Sequence, residues 1–264
     1  MIDKACTVLI TGASSGIGLE LAKLFARDHY QLVLVARSRE ALEKLATDLK
    51  TNFGASAMIV VVDLSLHQAV EEVASFIDQK HIAIDVLVNN AGFGDFGYFK
   101  DTDWAKEEQM MRLNMIALTH LTKIFVRKMV ARGQGKILNV ASAAGFLPGP
   151  LMAVYYATKA YVLHFSEAVA NELKGTGVSM TILCPGPTAS GFQQMAGLEE
   201  SGMVRGKKLP TSASVAKSGY RALQKGRTIV ITGLKNKCMI ELLRITPRFF
   251  VRNYVRRYQE DRNS

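Results

Sequence analysis

The chain reads as an α/β protein built on a doubly wound parallel sheet, and three observations predict it. Short, continuously apolar runs alternate with longer amphipathic stretches from the first residues onward. The runs lack the polar alternation of a half-exposed sheet, so both of their faces are covered. A glycine-rich turn joins the first run to the first amphipathic stretch, as a parallel strand–turn–helix unit requires. The 264 residues, 48% of them hydrophobic, are enough to bury a large core without disulfide staples. No internal repeat or low-complexity linker interrupts the series, so the expectation is one domain over residues 1–264.

Seven apolar runs, at 7–11, 31–36, 57–62, 84–89, 136–141, 178–183 and 228–232, are the expected strands. Helical periodicity fills 16–28, 39–51, 66–80, 103–132 and 152–174, and Ser65-x-x-Gln68 has the spacing of a capping box opening the third of these. Two segments leave the alternation. Residues 185–227, with Gly186, Pro187, Gly191, Gly197, Gly202 and Gly206, read as a mobile loop with short helices, and long loops inside a compact domain are usually functional. From Leu234 onward lies a C-terminal extension in which Pro247 separates two short helical patterns.

The first strand runs into Thr11-Gly12-Ala13-Ser14-Ser15-Gly16-Ile17-Gly18 and then into a helix. Small residues let the backbone approach a pyrophosphate, and the free N–H groups and positive end of the helix point at the anion. Gly12, Ser14, Ser15, Gly16, Ile17 and Gly18 are therefore candidate cofactor-binding residues. No Lys-Ser/Thr pair follows, which argues against a P-loop hydrolase. The second strand ends in Ala36-Arg37-Ser38-Arg39, where an NAD-binding turn carries Asp or Glu. A 2′-phosphate would find in Arg37 a positive partner with no negative neighbour, which favours NADP(H). The plainer alternative has Arg37 and Arg39 as solvated residues opening the next helix.

Further along stand Asn89-Asn90-Ala91-Gly92 after the fourth strand, Ser142 after the fifth and Tyr155-x-x-x-Lys159 opening a long helix. With the glycine turn, these motifs resemble in order and spacing the short-chain dehydrogenase/reductase superfamily, over about residues 5–235, in an NADP-preferring, ketoreductase-like branch. The resemblance implies a Rossmann-type sheet and a tetrad of Asn114, Ser142, Tyr155 and Lys159. Tyr155 would be the proton donor to the substrate carbonyl, Ser142 would polarise the same oxygen, and Asn114 would hold a water in a relay behind Lys159. It also implies that Asp63 and Leu64 flank the adenine, that Asn90, Ala91 and Gly92 line the adenosine ribose with Asn89 supporting the sheet, and that Pro185, Gly186 and Thr188 meet the nicotinamide. Lys159 would bond the nicotinamide ribose. The chemistry needs no metal. Independently of the family, Tyr155 and Lys159 at i and i+4 share one helix face, and an ammonium that close is expected to lower the phenol's pKa toward working pH. Tyr156, at i, i+3 to Lys159, meets the same spacing argument, and only the family motif selects Tyr155.

Substrate identity falls to the loops 93–99, 143–151 and 187–225. They hold Phe93, Phe96, Tyr98, Phe99, Phe146, Leu147, Phe192, Met195, Leu198 and Met203, which suggests a hydrophobic carbonyl or alcohol. The net charge of +10 is uneven: residues 1–200 carry 18 basic and 20 acidic side chains, residues 201–264 carry 15 and 3, so the excess sits in the last quarter. There Phe250, Val251, Tyr254, Val255 and Tyr258 form one apolar stripe flanked by Arg248, Arg252, Arg256 and Arg257. Such a helix either docks on its own domain or a partner subunit, or lies on an anionic membrane surface as a peripheral contact. No nucleic-acid motif accompanies the basic tail.

Cys6, Cys184 and Cys238 are too scattered for a disulfide framework, and Cys184 reads as a buried strand residue. With no secretory leader pattern and no apolar run long enough to span a bilayer, the expectation is a cytoplasmic chain. By family analogy it forms a homo-oligomer through its two long helices. A reading from another class, a catalytically quiet dinucleotide-binding scaffold or sensor whose tail binds a membrane or partner, has no use for Ser142, Tyr155 and Lys159 together.

Overall fold

The computed structural model describes residues 6–198, 201–202 and 204–260. Its parallel strands are β1 (Thr7–Thr11), β2 (Gln31–Ala36), β3 (Ala57–Val61), β4 (Val86–Asn89), β5 (Gly135–Val140), β6 (Val178–Cys184) and β7 (Ile229–Ile231), in the spatial order β3-β2-β1-β4-β5-β6-β7. The helices are α1 (Gly16–Arg27), α2 (Arg39–Phe53), α3 (Ala69–Gln79), α4 (Trp104–Met111), α5 (Leu118–Arg132), α6 (Ala153–Glu172), α7 (Phe192–Ala196), α8 (Ser212–Gln224), α9 (Leu234–Leu243) and α10 (Arg248–Gln259). Strand order reverses between β1 and β4, so the crevice beyond their carboxyl ends is where this architecture takes a ligand.

The apolar runs form strands because helices cover them on both sides. On one face, Val8, Ile10, Leu32 and Leu34 meet Leu21 and Phe25 of α1, Leu42 and Leu49 of α2, and Val215 and Leu223 of α8. On the other, Leu9, Val33 and Leu87 meet Val73 and Ile77 of α3 and Leu121 and Phe125 of α5. Each such side chain taken out of water stabilises the fold by about 1.5–3 kcal/mol.

Several expectations change. Within the segment 185–227, expected as a loop with short helices, Ser212–Gln224 is a helix of 13 residues packed on α1 by Val215, Ala216, Gly219, Tyr220 and Leu223, with Tyr220 Oη donating to Asp28 Oδ2 at 2.5 Å. Its i, i+1, i+4, i+5, i+8 spacing was present but hidden among glycines. The capping box does not form: the Ser65 N–H and Oγ both donate to Asp63 Oδ1, at 2.9 and 2.7 Å, and α3 opens only after Gln68 at φ 67°. An Asx turn offers Ser65 a nearer acceptor than the helix does. The helix expected over 103–132 is broken by a π turn, Arg112–Ala117, between α4 and α5.

The C-terminal extension folds back onto the domain. In α10 the inward face is Val251, Val255 and Gln259, whereas Phe250, Tyr254 and Tyr258 are exposed, so the single stripe read from the sequence is two faces. Residues a turn apart at i, i+4, i+8 share a face more closely than the wider set did. Among the described residues, no helix is long and apolar enough to cross a membrane.

Candidate active site

At the carboxyl ends of the strands a cavity of about 690 Å³ collects residues from nearly every element. Its floor is the turn after β1. Gly12 has φ +64°, and a Cβ there would lie 2.8 Å from the Ala91 Cα and 2.9 Å from Asn90 Nδ2, so no other residue fits. Asn90 Nδ2 donates to the carbonyls of Thr11 and Gly12 at 3.0 and 3.1 Å, and Thr11 Oγ1 accepts from the Asn90 and Ala91 N–H groups, each at 3.0 Å. The side chain of Asn90 thus clamps the turn, while Asn90, Ala91 and Gly92 line the cavity. Gly12, Ser14, Ser15, Gly16 and Ile17 line it too. Gly18 does not. It packs against the turn, its missing Cβ leaving room for the Gly12 carbonyl that would otherwise lie 2.3 Å away, and so acts in helix–strand packing rather than as a cofactor contact.

At one end of the cavity Arg37 and Asp63 stand side by side, Nη1 to Oδ2 3.7 Å, with Leu64 next to them. This corrects the expectation that Arg37 has no negative neighbour. β2 and β3 pair in register with Ala36 opposite Val61, so the residues following each strand emerge together. The pair is partly exposed and one Asp63 oxygen is already taken by Ser65, so it holds Arg37 only weakly.

At the other end lie Ser142, Tyr155 and Lys159. Ser142 follows β5 and caps a 3₁₀ turn, its Oγ accepting from the Ala144 N–H at 3.1 Å and donating to the Pro185 carbonyl at 3.3 Å. It also meets the Tyr155 hydroxyl, a contact that favours the phenolate and partly opposes the effect of burial. Tyr155 and Lys159, in the first turns of α6, are both buried. Lys159 Nζ donates to the Val140 carbonyl at 3.0 Å and lies 5.8 Å from the centre of the Tyr155 ring. Burial pushes the Tyr155 phenol up to about 12 and pulls the Lys159 ammonium down to about 8. The tyrosine is therefore raised where a lowering was expected, because desolvation penalises the charged form of each group.

Asn114, 1% exposed in the π turn, sits behind this group and not on the cavity. Its Nδ2 donates to the Phe93 carbonyl and to Thr158 Oγ1, each at 3.0 Å, and its Oδ1 accepts from the Phe93 N–H at 3.2 Å. Asn114 Oδ1 and Lys159 Nζ converge on Gly92, where a Cβ would meet them at 2.8 and 3.5 Å. Pro185, Gly186 and Thr188 line the far wall, with Thr188 Oγ1 donating to the Gly186 carbonyl at 2.8 Å. Cys184 is buried, its thiol pushed up to about 12 by burial, and it offers no nucleophile.

A family model for short chain dehydrogenases matches residues 6–201. The chain belongs to that family. It is similar to the ketoacyl reductase HetN of Nostoc sp., 31% identical over 261 residues that cover 94% of this chain and 88% of that protein. It is 31% identical over 182 residues to the very-long-chain 3-oxoacyl-CoA reductase of Rattus norvegicus, covering 67% of this chain and 57% of the relative, little more than half its length. Among solved structures, a short-chain dehydrogenase from Sphingobium yanoikuyae in complex with NADPH superposes with a TM-score of 0.81 at 29% identity, covering 92% of this chain and 97% of that one. This short-chain dehydrogenase is thus an NAD(P)-dependent oxidoreductase acting on CH–OH groups.

The residues present fit a dinucleotide. Ser15 precedes α1 without a side-chain capping bond, leaving the first-turn N–H groups of Gly16 and Ile17 to face the cavity, and Gly12 keeps the floor open for close approach.

The sequence missed one whole wall of this dehydrogenase's cavity. Lys235, Asn236 and Met239 of α9 and Tyr254, Val255 and Tyr258 of α10 line it, and Asn236 presses on Gly186, where a Cβ would lie 2.2 Å from its Nδ2. The only available signal was the apolar spacing in α10. Of the expected substrate-loop residues, Phe93, Leu147, Phe192, Met195 and Leu198 line the cavity, whereas Phe96, Tyr98, Phe99 and Phe146 do not. Phe146 packs instead against Leu118 and Val162, and Met203 lies outside the described residues.

Proposed function

We propose that this dehydrogenase reduces a hydrophobic carbonyl with NADP(H), Tyr155 acting as general acid and as general base in the reverse oxidation. The observation that carries the reading is the placement of Tyr155 and Ser142 on a cavity lined by apolar side chains, Phe93, Met152, Phe192 and Leu198. NADPH, when bound, supplies the hydride. Gly12, Ser14, Ser15, Gly16 and Ile17 would hold its pyrophosphate, Arg37 its 2′-phosphate, Asp63 and Leu64 its adenine, Asn90, Ala91 and Gly92 its adenosine ribose, and Pro185, Gly186 and Thr188 its nicotinamide.

Tyr155, protonated well past neutral pH, donates its proton to the carbonyl oxygen while Ser142 donates a hydrogen bond to the same atom. Lys159 bonds the nicotinamide ribose and supports the phenolate that forms. Asn114, through Gly92 and Phe93, positions the backbone beside Lys159 and holds the water behind it. A phenol that keeps its proton suits the reductive direction.

The relatives named for ketoacyl and 3-oxoacyl reduction support acyl-chain ketones as substrates. Purified enzyme is expected to oxidise NADPH with aliphatic, aromatic or acyl-chain ketones in preference to sugars. Activity confined to polyols would overturn the substrate class, and no NADPH turnover with any carbonyl would overturn the enzyme.

The same reading includes two contacts with other surfaces. The family often assembles into oligomers, and Ile116 and Tyr161, exposed on the long helices, would seat a second copy. The outer face of α10, with Phe249 and Phe250 beside Arg248, Arg252 and Arg257, would meet an anionic membrane surface. Light scattering should give a multiple of 29.0 kDa. Cosedimentation with anionic vesicles should be lost on Phe249→Ser/Phe250→Ser; a monomer, or equal sedimentation with neutral vesicles, would remove the respective contact.

A further inference from the structure

The inner face of α10 carries a polar group where an apolar one would pack. Gln259 is 0% exposed, at the end of the stripe that Val251 and Val255 press into the cluster around Tyr155, Tyr156, Met152 and Phe192. Its Nε2 donates to Tyr156 Oη at 2.9 Å, and its backbone carbonyl accepts from Ser201 Oγ at 3.2 Å. Its Oε1 has no hydrogen-bond partner among the described residues. Burying an amide with one of its polar atoms unmatched costs free energy that a leucine would not. A position that keeps glutamine under that penalty is using the bond it does make.

That bond joins the C-terminal helix to the residue beside the proton donor. The Tyr156 ring lies against Gly149, where a Cβ would come within 2.1 Å of Tyr156 Cγ, and it meets the Tyr155 ring edge-on with centroids 6.0 Å apart and planes at 76°. Gly202 approaches the same end of α10 so closely that a Cβ would be 2.9 Å from the Glu260 carbonyl and 3.1 Å from that of Tyr258. In the turns just before these contacts, Tyr254, Val255 and Tyr258 line the cavity, as do Phe192 and Leu198.

We propose that Gln259 is a positioning residue for substrate: its hydrogen bond to Tyr156 holds α10 as the wall of the cavity and so sets the length and bulk of the apolar group accepted. The inference rests on the carbonyl-reductase reading above. A long acyl or alkyl group extends past Tyr155 along Val255 and Leu198 and needs the wall in place. A short ketone reaches Ser142 and Tyr155 without touching α10.

The test uses the full chain with Gln259→Leu, which keeps the volume, with Tyr156→Phe, and with both together. KM is measured on a series of 2-ketones of increasing chain length, alongside the NADPH Kd, and amide hydrogen exchange of residues 248–260 is followed without substrate. Loss of one neutral hydrogen bond corresponds to about a fivefold effect. Gln259→Leu should therefore raise KM for the longest ketones about fivefold with kcat and the NADPH Kd within about twofold, and should speed exchange across α10 by a similar factor. Since both single variants break the same bond, the double variant should exchange no faster than either alone. Equal KM changes at every chain length, additive effects on exchange, or unchanged exchange in α10 would overturn the proposal. Absence of turnover in the unaltered chain would overturn the reductase reading and with it the substrate role, whereas the exchange result would still report whether the tie exists.

Discussion

Tyr155→Phe is expected to lower kcat for carbonyl reduction by about 10²–10⁴-fold, the range of a lost general acid. The ring survives the change, so its packing against Tyr156 and Phe192 is kept and the variant should fold. NADPH affinity should stay within about twofold of the unaltered enzyme, because the glycine turn, Arg37 and Lys159 are intact. Tyr156→Phe should retain turnover, since its hydroxyl is committed to Gln259 and faces away from Ser142 chemistry. Stopped turnover in Tyr156→Phe with activity left in Tyr155→Phe would reverse the assignment.

The same site carries a pH dependence whose sign follows from burial. Lys159, pulled down to about 8, is an ammonium below that value and neutral above it, whereas Tyr155, pushed up to about 12, keeps its proton throughout. Reduction needs the phenol as donor and the cation to support the phenolate left behind. The kcat/KM for reduction should accordingly be level on the acid side and fall as pH rises through about 8. A rise over that interval would mean that phenolate, not phenol, is the working form.

Arg37→Ala is expected to raise KM for NADPH by about 10–100-fold, the value of charge-assisted contacts to a phosphate, while KM for NADH moves by about twofold or less. The asymmetry is enlarged by Asp63, 3.7 Å from the Arg37 guanidinium, because without the arginine a 2′-phosphate would face that carboxylate. Steady-state kinetics with the two cofactors reads the ratio directly. Parallel losses with both would assign Arg37 to the helix surface instead, the alternative already present in the sequence.

Much of the site was legible because its signals are local. Glycines at 12, 16 and 18 after an apolar run, and a tyrosine and lysine four apart at the start of a helix, each describe contacts within a turn or two of chain. Asp63 beside Arg37 was not legible as a pair, since the 25 intervening positions are bridged only by the register of β2 on β3. Asn114 could be placed only by resemblance, because nothing in its helix marks the π turn in which it lies buried.

The sequence by itself determined the strand–helix alternation and the glycine-rich turn, both of which follow from periodicity and spacing along one segment; spacing put Tyr155 and Tyr156 alike near Lys159, and the resemblance to the family selected Tyr155. The tertiary structure alone decided how that pair titrates, because desolvation depends on what packs around Tyr155 and Lys159 and not on their separation. It also decided where the basic C-terminal helix packs. That helix turns Val251, Val255 and Gln259 inward, sets Tyr254, Val255 and Tyr258 on the cavity and leaves its arginines with Phe249 and Phe250 outside, a division that amphipathic spacing permits but only a docking partner can fix.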